Sequence, residues 1–308
     1  MLIMQACGLD CPPAHKCTVV VEQDFTRRYL ENPEAMYPIM EKSVRDSFET
    51  AADDKDLVVI EGTGHAGVGS IFGLCNASVA KMLDAKAVIV TLGGIGRPVD
   101  EVAVNRSLFE RENVPVIGVI VNKVLPEKLE QTRYYLSKAF DSCGLPLLGV
   151  IPYAPRLAWP TVQQIAETMN ATVVNGHDRL SNPVAEVIIG AMTAHNAITY
   201  VRDKALLIVP GDRDDVVLAM LSLNLLRNDM KLSAIVFTGG LAPQPQTMDL
   251  VKRTEIPVLI VDAGTYDTAA GMRDVLVKIR VADEEKIQLA ARLVQDHVDL
   301  KRLWSLLA

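Results

Sequence analysis

Short, fully apolar runs alternate with amphipathic stretches through the middle of the chain. Residues 56–60 (DLVVI), 87–92 (AVIVTL), 114–121 (VPVIGVIV) and 145–151 (LPLLGVI) are strand-length and apolar on both faces. They end at Glu61-Gly62, Gly93-Gly94, Asn122-Lys123 and Pro152. Residues 99–111 and 127–142, lying between them, carry apolar positions at helical spacing. Strands apolar on both faces, alternating with helices, predict right-handed βαβ units and a parallel sheet covered on both sides. Prolines 152, 155, 160 and 183 and the polar run Asn175-Gly176-His177-Asp178 then interrupt the pattern. They predict a boundary near 175–183, with domains at 1–178 and 179–308.

The alternation then restarts. Residues 184–201 predict a helix, 205–209 a strand, 214–227 a helix, 232–237 a strand, 243–253 a helix, 257–261 a strand and 266–277 a helix. Residues 283–307 predict one long amphipathic helix, assigned to the second domain, with Lys301 and Arg302 late in it, where they suit the helix dipole. The fold class is α/β, with two three-layer domains, each built on a parallel sheet.

Composition narrows the function classes. The chain has 308 residues, 31 basic against 38 acidic side chains and a net charge of −7. That balance argues against nucleic acid or an anionic membrane surface as partner, since both demand clustered Lys and Arg. No apolar run approaches the ~20 residues that span a bilayer, so no membrane partner is expected. The five cysteines, without an export signal, predict a reduced, cytoplasmic protein. Cys7, Cys11 and Cys17, with His15 among them, match none of the strong zinc spacings. The apolar strands predict a homo-oligomer, with a dimer as the default, and the stripe on 283–307 suits either a partner or its own domain.

Ligands of parallel sheets bind beyond the carboxyl ends of the strands, so the strand-end residues are the candidates. Glu61, followed by Gly62 and Gly64, suits either a Mg²⁺ ligand beside a phosphate or a strand-terminal acid before a turn. Gly93, Gly94 and Arg97 suit either an anion pocket near a helix start or a glycine-rich loop. Asn122, beside Lys123, has an amide able to pair with a purine edge. Asp212 and Arg213, with Asp214 and Asp215, suit helix capping or, with Thr238, Gly239 and Gly240, a small-ligand pocket on one sheet edge that Asp262 joins. No G-x-x-x-x-G-K-[ST] occurs in these residues, and no nucleophile pattern surrounds His65, so no catalytic residue is assigned.

Residues 56–153 resemble the dethiobiotin synthetase-like branch of the P-loop ATPases. That branch includes cobyrinic acid a,c-diamide synthase and the N-terminal region of long phosphotransacetylases. The resemblance implies that Glu61-Gly62 holds Mg²⁺, that Asn122 faces adenine and that Pro152 lies beside the base. Residues 184–280 resemble the DRTGG domain through Gly211-Asp212-Arg213-Asp214-Asp215 and Thr238-Gly239-Gly240. This order of domains is that of the long phosphotransacetylase N-terminal region. The chain departs from the ATPase pattern in lacking the P-loop strand and helix, which leaves an ATP and Mg²⁺ site incomplete. Two functions follow as expectations. One is a non-catalytic regulatory or ligand-sensing protein that binds a small molecule or nucleotide. The other is an ATP-dependent ligase or synthetase whose P-loop precedes the given sequence.

Overall fold

The computed structural model describes Gly8, residues 19–227 and residues 230–307. Two compact units emerge from residue contacts. One holds the described residues up to Ala154 together with those from Ile287 on, and the other is Pro155–Lys286.

The first unit begins with α1 (Phe25–Glu31), α2 (Pro33–Ala52) and α3 (Asn76–Met82). Alternation follows through β1 (Ala87–Leu92), α4 (Gly96–Arg111), β2 (Val116–Val124), α5 (Leu129–Ser142) and β3 (Leu147–Pro152). The strands form a parallel sheet in the order β1-β2-β3. Ile89, Val119, Val121 and Val150 point to one face and pack against Val102 and Phe109 of α4 and Leu136 and Phe140 of α5. α12 (Leu300–Leu307), which follows α11 (Glu284–His297), packs against β2 and β3.

The second unit contains α6 (Val162–Thr168), β4 (Thr172–Asn175), β5 (Glu186–Ile189), α7 (Ala194–Tyr200), β6 (Ala205–Pro210), α8 (Asp214–Leu226), β7 (Ala234–Thr238), α9 (Pro245–Lys252), β8 (Val258–Ile260) and α10 (Thr265–Gly271). Its five-stranded sheet runs β4-β8-β7-β6-β5. Alternation along the strands sorts the core into two layers. Leu207, Val209, Ile235, Phe237 and Val258 meet Ala197, Val217, Met220 and Val251 of α7–α9 on one face. Leu206, Ile208, Val236 and Leu259 meet Val162 and Ile165 of α6 on the other. This is the three-layer α/β arrangement that the apolar periodicity predicts.

Five expectations change. Residues 56–60 form no strand: Val59 is 86% exposed, with Leu57 and Ile60 near half. An extended segment becomes a strand only with a partner to take its backbone bonds, and among the described residues β1 pairs with β2 alone. Residues 184–201 are a strand and a helix, not one helix. The β-branched Val187, Ile188 and Ile189 pair in parallel with β6, and Gly190 packs against Val209, where a side chain would crowd it. The second sheet is mixed, because β4 pairs antiparallel with β8. That pairing also places 172–175 inside the second unit, so the units divide at Ala154–Pro155 rather than near 175–183. Finally, 283–307 is two helices broken at Val298-Asp299, and from Ile287 on it belongs to the first unit, because Val298 bridges Gly149 beside β3.

Cys7, Cys11, His15 and Cys17 lie outside the described residues. Cys75 is a buried thiol and Cys143 an exposed one. Among the described residues no helix is long and apolar enough to cross a membrane.

Candidate ligand site

In the first unit, the carboxyl end of the sheet gathers part of the expected constellation. Leu92 is in register with Asn122, and Val124 with Pro152, so Gly93, Asn122-Lys123 and Pro152 share one edge. The register slips between Val121 and Val124, and Lys123 takes a left-handed φ of 60° there. Gly93 allows this close approach, since a Cβ would stand 3.0 Å from both the Lys123 carbonyl and Val124 Cα. Gly94, at φ 136°, lies where L side chains are strained. The Asn122 side-chain oxygen accepts the Lys123 N–H at 2.8 Å.

Arg97 donates from Nε to Glu101 at 2.7 Å, and the other Glu101 oxygen accepts the Thr91 hydroxyl, also at 2.7 Å. The Thr91 bond, followed by that from Arg97, lowers the Glu101 pKa below the usual carboxylate value. Arg97 is therefore tethered to its own helix.

Glu61 sits exposed beyond the 56–60 coil rather than at a strand end. The glycines after it build a fixed turn. The Asn76 amide donates to the carbonyls of Thr63 and His65 at 3.0 and 2.9 Å, and Asn105 accepts the Ala66 N–H at 2.7 Å. Gly62 packs against the Asn76 side chain, and Gly64 has a φ of 66°. Among the described residues no group of three or more His, Cys, Asp and Glu side chains is placed to hold a metal.

The second unit brings its candidates together more tightly. β6, β7 and β8 end at one edge, so the turns starting at Gly211, Gly239 and Val261 meet there. Gly239 donates to Ala263 and Gly240 to Val261, both at 2.9 Å. Both glycines have positive φ, 78° and 65°, and a Cβ on Gly240 would stand 3.2 Å from an Asp262 carboxylate oxygen. A Cβ on Gly211 would come within 2.1 Å of the Leu241 carbonyl oxygen, so the first signature turn lies directly against the second.

Arg213 closes this edge. Its Nε and Nη2 reach the two oxygens of Asp215 at 2.8 and 2.9 Å, and Nη2 also donates to the Met192 carbonyl at 3.0 Å. The Arg213 fork holds the Asp215 carboxyl below its ordinary pKa, and the same contact raises that of Arg213. Asp214 accepts the Gln244 N–H at 3.1 Å, tying the helix start to the loop after β7. The buried Thr238 hydroxyl meets that of Thr265 at 2.8 Å. Of this edge, the sequence motifs name Asp212, Arg213, Thr238, Gly239, Gly240 and Asp262. They miss Met192, Gln244 and Thr265, which join the edge through tertiary contacts that no local motif announces.

Comparison with known proteins agrees with both resemblances. The model of the AAA domain matches residues 2–161, and that of the DRTGG domain residues 164–275. Phosphate acetyltransferase of Nitrosomonas europaea is 28% identical over 96% of this chain and 43% of its own length. The protein of the same name from Nitratidesulfovibrio vulgaris is 27% identical over 99% of this chain and 44% of its own. The chain thus spans under half the length of these curated relatives. Among solved structures, the CBS and DRTGG domains of the regulatory region of Clostridium perfringens pyrophosphatase, complexed with the activator diadenosine tetraphosphate, align at 17% identity. That alignment covers 52% of this chain and 74% of the other at a TM-score of 0.33. The chain belongs to the AAA domain family, joined to a DRTGG domain in the order of the N-terminal region of long phosphotransacetylases.

Proposed function

We propose that this chain is a non-catalytic regulatory module that senses a small molecule or nucleotide at the carboxyl edge of the second unit's sheet. The observation that carries the reading is the meeting of the turns at Gly211, Gly239-Gly240 and Asp262, with Gly211 against the Leu241 carbonyl too closely for any side chain and Gly239 and Gly240 bonded to Ala263 and Val261. Such a junction sits where open α/β sheets bind ligands and places carboxylates beside one guanidinium held by Asp215 and Met192. The first unit supplies fewer groups for phosphate chemistry. Glu61 stands apart from the strand ends, and no G-x-x-x-x-G-K-[ST] occurs in the given residues. The lysine and backbone cradle of that motif provide most of the positioning in phosphoryl transfer. We further propose a cytoplasmic homodimer, checked by light scattering; a one-chain mass at every concentration counts against it.

Thermal-shift titration with ATP, dinucleotides and acetyl-CoA tests the ligand reading. The expected result is a saturable rise in Tm with one of these, abolished by Gly240→Val, and no Mg²⁺-dependent ATP turnover. No shift with any of them defeats the proposal. A turnover rate above background that Glu61→Ala removes would replace it with the ATP-dependent synthetase reading, which the gathering of Gly93, Asn122, Lys123 and Pro152 at one edge favours.

A further inference from the structure

The segment after α11 has two ways to satisfy its backbone, and the fold uses the less regular one. Residues 284–307 contain neither Gly nor Pro and carry a continuous amphipathic pattern, so one unbroken helix is open to them. The helical ladder holds as far as Val298, whose N–H donates to Val294 at 2.9 Å. One residue later it breaks. Asp299 donates its N–H to the Leu148 carbonyl at 2.8 Å instead of to Gln295, and Val298 forms an antiparallel bridge with Gly149. α12 then starts afresh, with the Asp299 carboxylate capping the Arg302 N–H at 2.9 Å. At its far end, Lys86 Nζ takes the carbonyls of Leu306 and Leu307 at 2.8–3.0 Å.

The seat is made at Gly149, on one face of the sheet. Ile120 is in register with Gly149, and Gly118, two residues earlier, shares that face. A Cβ at Gly149 would stand 2.6 Å from the His297 carbonyl oxygen, and one at Gly118 would stand 2.5 Å from Leu148 Cδ1. The missing side chain at Gly149 lets this segment approach so closely, while Gly118 leaves room for the Leu148 side chain beside it. The attachment is nevertheless shallow. No residue of α12 is buried, and Trp304 is 59% exposed.

We propose that residues 298–307 are a releasable strap on the first unit. Docked, the segment is a broken helix closing the sheet face around Gly118, Leu148 and Gly149. Released, it straightens into a single helix with α11. Each form satisfies the backbone groups that the other leaves open: the docked form uses the Leu148 carbonyl, the Gly149 bridge and the Asp299 cap, and the straight form uses the helical ladder through 299–302. An element with two discrete, internally satisfied arrangements responds to anything that favours one of them. This inference is independent of the ligand reading for the second unit.

Amide hydrogen exchange on the full chain tests it, with Asp299→Ala and Gly149→Ala. The first variant removes a cap used only by the docked form, and the second puts a Cβ into the seat. Both should accelerate exchange at 147–150 relative to 119–121, by roughly five- to tenfold for the loss of one cap. Amides 300 and 301 should become more protected as the ladder forms through the break. In a Trp159→Phe background, Trp304 should become more accessible to acrylamide. Unchanged exchange at 147–150 in both variants overturns the proposal. So does equal acceleration at 119–121, which signals general loosening, and so does loss of protection at 300–301, which signals fraying instead of straightening.

Discussion

Replacing Gly211 with alanine puts the closest contact of the second unit under load. A Cβ there would stand 2.1 Å from the Leu241 carbonyl oxygen, 2.3 Å from its carbon and 2.9 Å from the Ala242 nitrogen, all backbone atoms. Opening the 2.1 Å approach to the 3.0 Å that real Cβ contacts respect requires about 0.9 Å of backbone movement. No rotamer change relieves it. The loop that must move is anchored by the bonds from Gly239 to Ala263 and from Gly240 to Val261. Overpacking costs about 1–3 kcal/mol, and weakening one backbone bond adds about 1 kcal/mol, giving about 2–4 kcal/mol. For a unit spanning Pro155–Lys286, that lowers Tm by roughly 10 °C. Gly264→Ala is the control, since its Cβ would have nothing nearer than an Asp267 oxygen at 4.0 Å; its effect should stay within about 0.5 kcal/mol. Gly240→Ala should fall between them, at about 1–2 kcal/mol, because φ is 65° but the nearest atom is a movable carboxylate. Calorimetry on the three variants reads the order. A Tm for Gly211→Ala within about 2 °C of that for Gly264→Ala would refute the claim that the two signature turns are wedged together.

Other variants probe separate parts of the structure. Arg213→Lys loses the two-pronged contact with Asp215 and the bond to Met192, so chemical denaturation should show a loss of about 1–2 kcal/mol, with Arg213→Ala somewhat worse. The Asp215 pKa is depressed in the folded state, so its stabilisation is full above the unfolded value near ~3.9 and is lost as pH falls through the folded one. Glu167, held low by the Arg280 fork, acts in the same direction. The stability gap between wild type and Asp215→Asn should therefore be flat at neutral pH and close in acid; a gap that widens on acidification contradicts the sign. In the first unit, Val59→Thr should change stability by less than about 0.5 kcal/mol, whereas Leu136→Ala should cost about 2–5 kcal/mol. A large loss at Val59 would mean that 56–60 is a strand after all.

What the sequence made legible was whatever a residue's own neighbours decide. The runs at 87–92, 145–151 and 205–209 became strands because β-branched and apolar residues in short blocks have few other ways to bury themselves between helices. The Gly211–Asp215 and Thr238–Gly240 turns were legible because left-handed glycines and acids at a helix start carry their own geometry. Residues 56–60 look the same on paper. Their Leu, Val and Ile fail to form a strand because strand formation is a property of pairs, and a partner leaves no mark on the strand that needs it.

The same logic separates the parts of the candidate site that could be read from those that could not. Arg213 could be matched to a neighbouring acid because Asp215 is two residues away. Its second partner, the Met192 carbonyl, follows a strand that local periodicity reads as helix, so misplacing 184–201 also hides that contact. The break at Val298-Asp299 is the complementary case. Every local preference there favours helix, yet Gly149, distant in sequence, offers a bare stretch of sheet and the neighbouring Leu148 carbonyl takes one N–H from the ladder. A helix interrupted against its own propensity must draw compensating bonds from tertiary structure, and here those bonds are few and shallow. That is why the segment is a better candidate for movement than the Gly211 turn of the second unit, whose backbone lies directly against the Leu241 carbonyl.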